Sequence, residues 1–478
     1  MTEKKEGSQF SKLVHIDMKG GPPNLAYFLD VMKLVKDWGG TGLLIEWEDM
    51  FPWSGDLTVL ARSGHYTKED VDSLLARACS LDLEVIPLVQ TFGHMEFVLK
   101  HGKFSHLRDI ESFPNCLRPL CLDTEAGEVR NLLQEMVSQV IRGHGDLARI
   151  HLGCDEVWCL GQSQATREHL ERRGLTVTDI FLDHTASVAR MARENVPEMK
   201  VMVWDDMMRT ATLEQLQTYG LGELVEPVIW SYGSILAFPP GMLERYQTVW
   251  GADRVWGGSA WRGATGSNMH VTTVRHHVDN NLAWLSVMKE LPSMAGLVMT
   301  GWARYDHYAT LCELLPVSLP SLRCCLAVLT AGSWTPDLHK SVSSSLGLSE
   351  PLMMEPLMFL TGEEAESPRY PGSVLYSAMM TYVRLSSQYT AIMSSSTVAT
   401  WLNPWQLRRG FLNPLQVQIT LEEISKLGSK LKAVGITLQK QISLLLHDFT
   451  EEEWMNTNLT PKLEEIDRIV SQALLALK

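Results

Sequence analysis

The chain has 478 residues, more than one ordinary domain holds, and its 45% hydrophobic and 21% charged content is typical of globular proteins. A formal net charge of −14 argues against nucleic acid, whose binding needs a basic face. No run approaches the ~20 apolar residues of a membrane span, and the start, Met1 to Ser8, lacks the apolar core of a secretory signal.

Short apolar runs alternate with helix-length amphipathic segments. Eight runs read as strands: 13–18, 42–46, 84–89, 148–153, 200–204, 227–230, 254–259 and 296–301. After the first, Asn24 is placed to cap a helix whose Leu25, Phe28, Leu29 and Met32 share one face, and Gly39-Gly40 stops it. After the second, Thr67 and Asp70 form a capping-box start ahead of Val71, Leu74, Leu75 and Ala78. Repeated β–α alternation over ~300 residues implies a parallel sheet, and eight units imply a closed α/β barrel of the (β/α)8 type. A doubly wound open sheet is the competing architecture.

Beyond residue ~320 the pattern is helical only. Pro336, the serine-rich 341–345 and then 363–371 read as loops. Ile424, Leu427, Leu431, Val434, Leu438, Ile442 and Leu445 step by three and four, as a helix stripe does. Leu463, Ile466, Val470, Leu474 and Leu477 repeat the pattern after Pro461. The expected organisation is a disordered segment 1–10, a catalytic barrel 11–320 and a helical region 321–478. A bundle packed on the barrel is the plainer role for that region, and homodimer formation through it is the second.

The chemistry is expected where strands end, because ligands bind at the carboxyl edge of parallel sheets. Most telling is His151-Leu152-Gly153-Cys154-Asp155-Glu156-Val157-Trp158, an acidic pair directly after a strand-like run. Such a pair must meet solvent, a partner or a substrate. A strand-end salt bridge explains most isolated pairs, but the other strand ends tip the balance. They carry Asp17; Glu46, Glu48 and Asp49; Gln90 and His94; Trp204, Asp205 and Asp206; Trp230 and Tyr232; Trp261 and Arg262; Trp302, Arg304, Tyr305 and Asp306. Carboxylates beside tryptophans suit a sugar, whose hydroxyls donate to acids while its C–H face packs on indole. Eight scattered cysteines lack C-x-x-C or zinc-like spacing, so reduced thiols and no metal or cofactor are expected.

The segment His151 to Glu156 resembles the H-x-G-G-D-E motif of family-20 glycoside hydrolases, the β-N-acetylhexosaminidases. Val85-Ile86-Pro87 with Gly93-His94 is similar to that family's strand-three segment, and Val203-Trp204-Asp205-Asp206 and Gly301-Trp302 sit where it carries later site tryptophans. The pattern looks most like the nucleocytoplasmic branch, so a cytoplasmic and nuclear location is implied. Departures are Cys154 for the second motif glycine, Leu88 and Gln90 for acids, Phe92 for a proline, and Trp302-Ala303-Arg304 for W-x-E. Strand one lacks the R-G pair, with Lys12 nearby.

The resemblance implies an exo-acting retaining β-N-acetylhexosaminidase acting on an N-acetylgalactosamine- or N-acetylglucosamine-bearing glycoconjugate. Adjacent acids cannot straddle an anomeric carbon as an acid and nucleophile ~5 Å apart would, so the sugar's 2-acetamido oxygen would attack. Glu156 would then be the general acid/base, and Asp155, kept ionised, would orient the acetamido N–H. His94 would support Glu156, Glu48 or Asp49. Substrate contacts would come from Asp17, Glu48, Asp49, Trp204, Asp205, Trp230, Tyr232, Trp261, Trp302, Arg304 and Tyr305. Tyr232 and Tyr305 remain equal candidates to donate to the acetamido oxygen, and Arg304 could instead pair with Asp306. A non-hydrolysing carbohydrate-binding or scaffold protein that keeps the barrel is the alternative.

Overall fold

The computed structural model describes residues 10–355 and 368–477. Eight parallel strands close into a barrel in sequence order. They are β1 (Ser11–Asp17), β2 (Gly42–Glu46), β3 (Glu84–Leu88), β4 (Arg149–His151), β5 (Lys200–Trp204), β6 (Glu226–Trp230), β7 (Trp256–Arg262) and β8 (Gly296–Gly301). Closure comes from β1 pairing with β8, Ser11 opposite Gly296. The open-sheet alternative is thereby excluded.

Alternate side chains turn inward, as the two-residue period of a strand requires. Leu13, Leu44, Ile86, Leu88, Met202, Val228, Trp256 and Val298 fill the barrel interior, with Trp204 at its upper end. The opposite faces pack under the surrounding helices in a second, larger core. The helix Leu25–Asp37 starts at Asn24, whose side chain accepts from the Tyr27 amide. Lys68–Ser80 starts with the full Thr67–Asp70 capping box. The last helix of the barrel layer, Leu315–Ala331, runs through position 320.

The helical region packs around Pro414–Leu445 in a core that also takes in Val271, Leu311, Leu314 and Val317 of the barrel layer. Ile424, Leu427, Leu431, Val434, Leu438 and Ile442 are all buried along it, each worth about 1.5–3 kcal/mol of burial when fully covered. The stripe expected on the last helix, Thr460–Ala476, is displaced. Ile466, Ile469 and Ala473 are buried, while Leu474 and Leu477 face outward. Residues 341–345 are not a loop. They end the helix Pro336–Ser345, which Thr335 caps and proline opens at a position that needs no amide donor. Its serines stay helical by bonding back along the helix, Ser343 to the His339 carbonyl and Ser345 to that of Val342. The loop expected over 363–371 falls largely outside the described residues, and the disordered segment expected over 1–10 does so except at Phe10. Among the described residues, no helix is long and apolar enough to cross a membrane.

The corner between Pro414–Leu445 and the next helix, Asp448–Trp454, is sewn onto the barrel. The Asn24 amide donates to the Leu445 carbonyl at 2.9 Å and the His447 amide to that of Pro22 at 3.1 Å. Arg62, from the loop after β2, lays its guanidinium 3.4 Å above the Phe449 ring.

Candidate active site

At the carboxyl end of the strands lies an open cavity of about 230 Å³, lined by Lys19, His94, Asp155, Glu156, Trp204, Trp230, Tyr232, Gly263, Ala264, Trp302, Arg304 and Tyr305. Asp155 and Glu156 follow β4 on a tightly turned backbone, with Gly153, Cys154 and Glu156 all at positive φ, between 50° and 71°. That turn lets two neighbours occupy different depths. Asp155 keeps only 7% of its side chain exposed, whereas Glu156 keeps 35%. The loop after β3 presses hard against this turn. A Cβ on Gly93 would sit 1.9 Å from the Asp155 carbonyl oxygen, so only glycine fits there.

His94 bridges the pair, 3.1 Å from Glu156 Oε2 and 3.6 Å from Asp155 Oδ2. Burial disfavours its charge, but the Asp155 carboxylate and the bond to Glu156 outweigh this and raise it to about 10. His94 therefore stands as a cation beside the two acids. Burial, helped by the charges of Glu46 and Glu156 and opposed by His94, pushes Asp155 up to about 6. Above that pH Asp155 carries the charge expected of it, and below it the charge is lost. Asp155 Oδ1 is buried and has no hydrogen-bond partner.

Asp206 locks the arrangement from β5. Its carboxylate accepts from the Glu156 amide at 3.0 Å and from the Trp230 indole N–H at 3.2 Å. Burial and the nearby Asp155 charge push it up to about 7. The aromatic wall follows. Trp230 stacks on Tyr232 at 5.2 Å, and the Trp302 indole N–H donates to the Tyr232 hydroxyl at 3.1 Å. His151, pushed down to about 3 by burial, packs neutral against Trp204 at 4.4 Å.

Five predicted contacts do not line the cavity. Asp205, first of the twin aspartates, turns away to a bidentate pair with Arg209. Trp261 lies in the core with its N–H toward the His15 carbonyl, because a register irregularity between Ala260 and Arg262 shifts the alternation. Asp17, Glu48 and Asp49 form a floor beneath the cavity. Asp17 accepts from the Lys19 and Ala303 amides, Glu48 meets His307, and Asp49 faces Lys100 at 3.5 Å. Arg304 does line the cavity, but its partner is not Asp306, which caps its own turn through the Tyr308 and Ala309 amides. Arg304 Nη2 instead donates to both carboxylate oxygens of Glu453, at 2.7 and 2.6 Å.

Lys19 was not anticipated from the sequence. It is 3% exposed, 3.1 Å from Asp17, 3.4 Å from Glu46 and 3.5 Å from Glu48, and 4.9 Å from the centre of the Trp302 ring. Burial opposes its charge, and the three carboxylates more than restore it, holding its pKa well above the ordinary lysine range. Glu46 also takes bonds from His15 at 3.0 Å and Gln90 at 3.2 Å. The only signal was Lys19-Gly20-Gly21 shortly after β1, whereas the sequence reading notes Lys12 instead. Lys12 itself lies on the far side, its amine on Thr330.

Residues 48–224 match the catalytic domain of glycosyl hydrolase family 20. The chain belongs to that family, and is a glycoside hydrolase of the β-N-acetylhexosaminidase class. It is 36% identical to human (Homo sapiens) Hexosaminidase D over 466 residues, 96% of this chain and 93% of that protein. To the Hexosaminidase D of Bos taurus it is 40% identical over 342 residues, 71% of this chain and 97% of that one. Among solved structures, a β-N-acetylhexosaminidase from Bacteroides fragilis NCTC 9343 shares the fold with a TM-score of 0.52 at 13% identity, over 71% of this chain and 70% of that chain.

Proposed function

We propose that the chain is an exo-acting, retaining β-N-acetylhexosaminidase that removes terminal N-acetylgalactosamine or N-acetylglucosamine by substrate-assisted catalysis. One observation carries the reading: Asp155 Oδ1, buried at the cavity without a partner, is an acceptor waiting for a donor. A buried unpaired oxygen costs about 1–3 kcal/mol, and an acetamido N–H would satisfy it. The Tyr232 hydroxyl supports the same picture. It accepts from Trp302 and also meets the Thr300 hydroxyl, and in the reaction it would turn its proton to the acetamido oxygen. Tyr305, 45% exposed at the rim, is the weaker candidate.

With the amide held between Asp155 and Tyr232, its oxygen attacks the anomeric carbon and the glycosidic bond breaks. Glu156 gives its proton to the leaving oxygen as the oxazolinium ion forms, and Asp155 stabilises the positive charge on that ring nitrogen. Water, deprotonated by Glu156, then opens the ring. Trp204, Trp230 and Trp302 wall the sugar, and Lys19 reaches its hydroxyls from the floor. The barrel carries this chemistry, and we assign the helices after it to a separate supporting unit.

The test is inhibition. A thiazoline that mimics the cyclised acetamido sugar is expected to inhibit competitively, and glycosides lacking the 2-acetamido group are expected to be poor substrates. Normal turnover of an unsubstituted 2-hydroxy glycoside would overturn the mechanism. The pH profile gives a second measurement. Protonating Asp155 removes the acceptor charge, so kcat/KM is expected to fall as pH drops through about 6. A flat kcat/KM between pH 4 and 7 would contradict this role.

A further inference from the structure

We propose that Glu453, on the helix Asp448–Trp454 outside the barrel, is a positioning residue of the sugar site. It holds Arg304 so that the guanidinium donates to the hydroxyl at C4 of the bound N-acetylhexosamine. The inference rests on the substrate class proposed above and adds the residues that read the sugar's outer edge.

Arg304 is 6% exposed and lines the cavity beside Lys19. Glu453 engages one of its three nitrogens, Nη2, through both carboxylate oxygens. Its Nε is buried with no partner at all. A buried guanidinium with an idle donor is costly unless a ligand takes it. The neighbouring backbone is shaped to let it through. A Cβ on Gly20 would lie 2.6 Å from Arg304 Nε, so glycine after Lys19 leaves the guanidinium its place.

The barrel supplies the direction. The acid Glu156 follows β4, whereas Arg304 follows β8 and Lys19 follows β1. In an eight-stranded ring β8 lies diametrically across from β4. A pyranose with C1 at Glu156 therefore turns C4 toward Arg304 and Lys19. Glu453 is itself held firmly. The chain leading into its helix pairs Leu446 antiparallel with Pro23, in the loop that follows Lys19, and Trp454 beside it is 2% exposed. The helical unit thus reaches the sugar through one carboxylate.

The experiment compares an aryl β-N-acetylhexosaminide with its 4-deoxy analogue, in full-length wild type and in Glu453→Gln, Glu453→Asp and Arg304→Lys. Removing the 4-hydroxyl is expected to cost the wild type about tenfold in kcat/KM, as loss of a hydrogen bond to a charged group does. Glu453→Gln and Arg304→Lys are expected to lose about as much on the parent substrate, mainly through KM. On the 4-deoxy analogue they are expected to match the wild type within about twofold, because the contact is already absent there. Glu453→Asp is expected to recover part of the loss. An undiminished 4-deoxy penalty in either Glu453→Gln or Arg304→Lys would overturn the proposal, as would an unchanged KM on the parent. If Glu453→Gln melts early, Arg304→Lys gives the same readout with the helix intact. Activity surviving in Glu156→Gln would instead refute the reaction assigned above, so the two readings fail separately.

Discussion

Replacing Glu156 by Gln is expected to lower kcat on aryl N-acetylhexosaminides by about 10²- to 10⁴-fold. The side chain stands at the cavity with a third of its surface open, hydrogen-bonded to a cationic His94. Gln keeps the size and one acceptor but has no proton to give. KM is expected to change little, because the proton moves only in the transition state. The loss should be larger for alkyl or sugar leaving groups than for nitrophenol, whose departure needs little protonation. Steady-state kinetics on the two leaving-group types checks both points. Wild-type rates in the variant would remove Glu156 from the reaction, and sugar binding with no turnover in the wild type would favour the binding-protein alternative.

Asp155→Asn is expected to cost about 10²- to 10³-fold in kcat, the usual scale for removing one preorganised electrostatic contact. Only 7% of the Asp155 side chain is exposed, so a charge there acts through a low dielectric. An amide in this place is neutral and turns a donor toward the substrate's own N–H in one of its two orientations. The distinguishing signature is specificity. The wild type should prefer acetamido sugars strongly over 2-hydroxy sugars, and Asp155→Asn should lose most of that preference. A variant with low kcat but intact preference would leave Asp155 a structural partner of His94 only.

Much of the fold could be read from residue order, since burial on both faces makes parallel strands continuous apolar runs. The acidic pair was legible for a different reason: charge after such a run has few innocent explanations. What escaped depended on geometry that no local pattern encodes. Lys19 reads as an ordinary exposed lysine until three carboxylates, from the ends of β1 and β2 and the turn after β2, enclose it. Asp205 and Asp206 are neighbours in the chain, and only the turn after β5 decides that the second faces the site. Trp261 was lost to one irregular residue in β7. Arg304 has its partner 149 positions away in another layer of the molecule, beyond any spacing rule.

Among the described residues, five other than glycine hold positive φ; Glu48, His94 and Glu156 belong to the cavity or its floor, and Cys154 lies on the turn that delivers the acidic pair. Each such conformation costs of the order of 1 kcal/mol or more that surrounding contacts must offset. Random substitution at these places would often relax the chain, glycine or asparagine being more at ease there. Natural drift toward a sturdier molecule is therefore drift toward a silent one, and only continued demand for turnover keeps this corner of the barrel under tension.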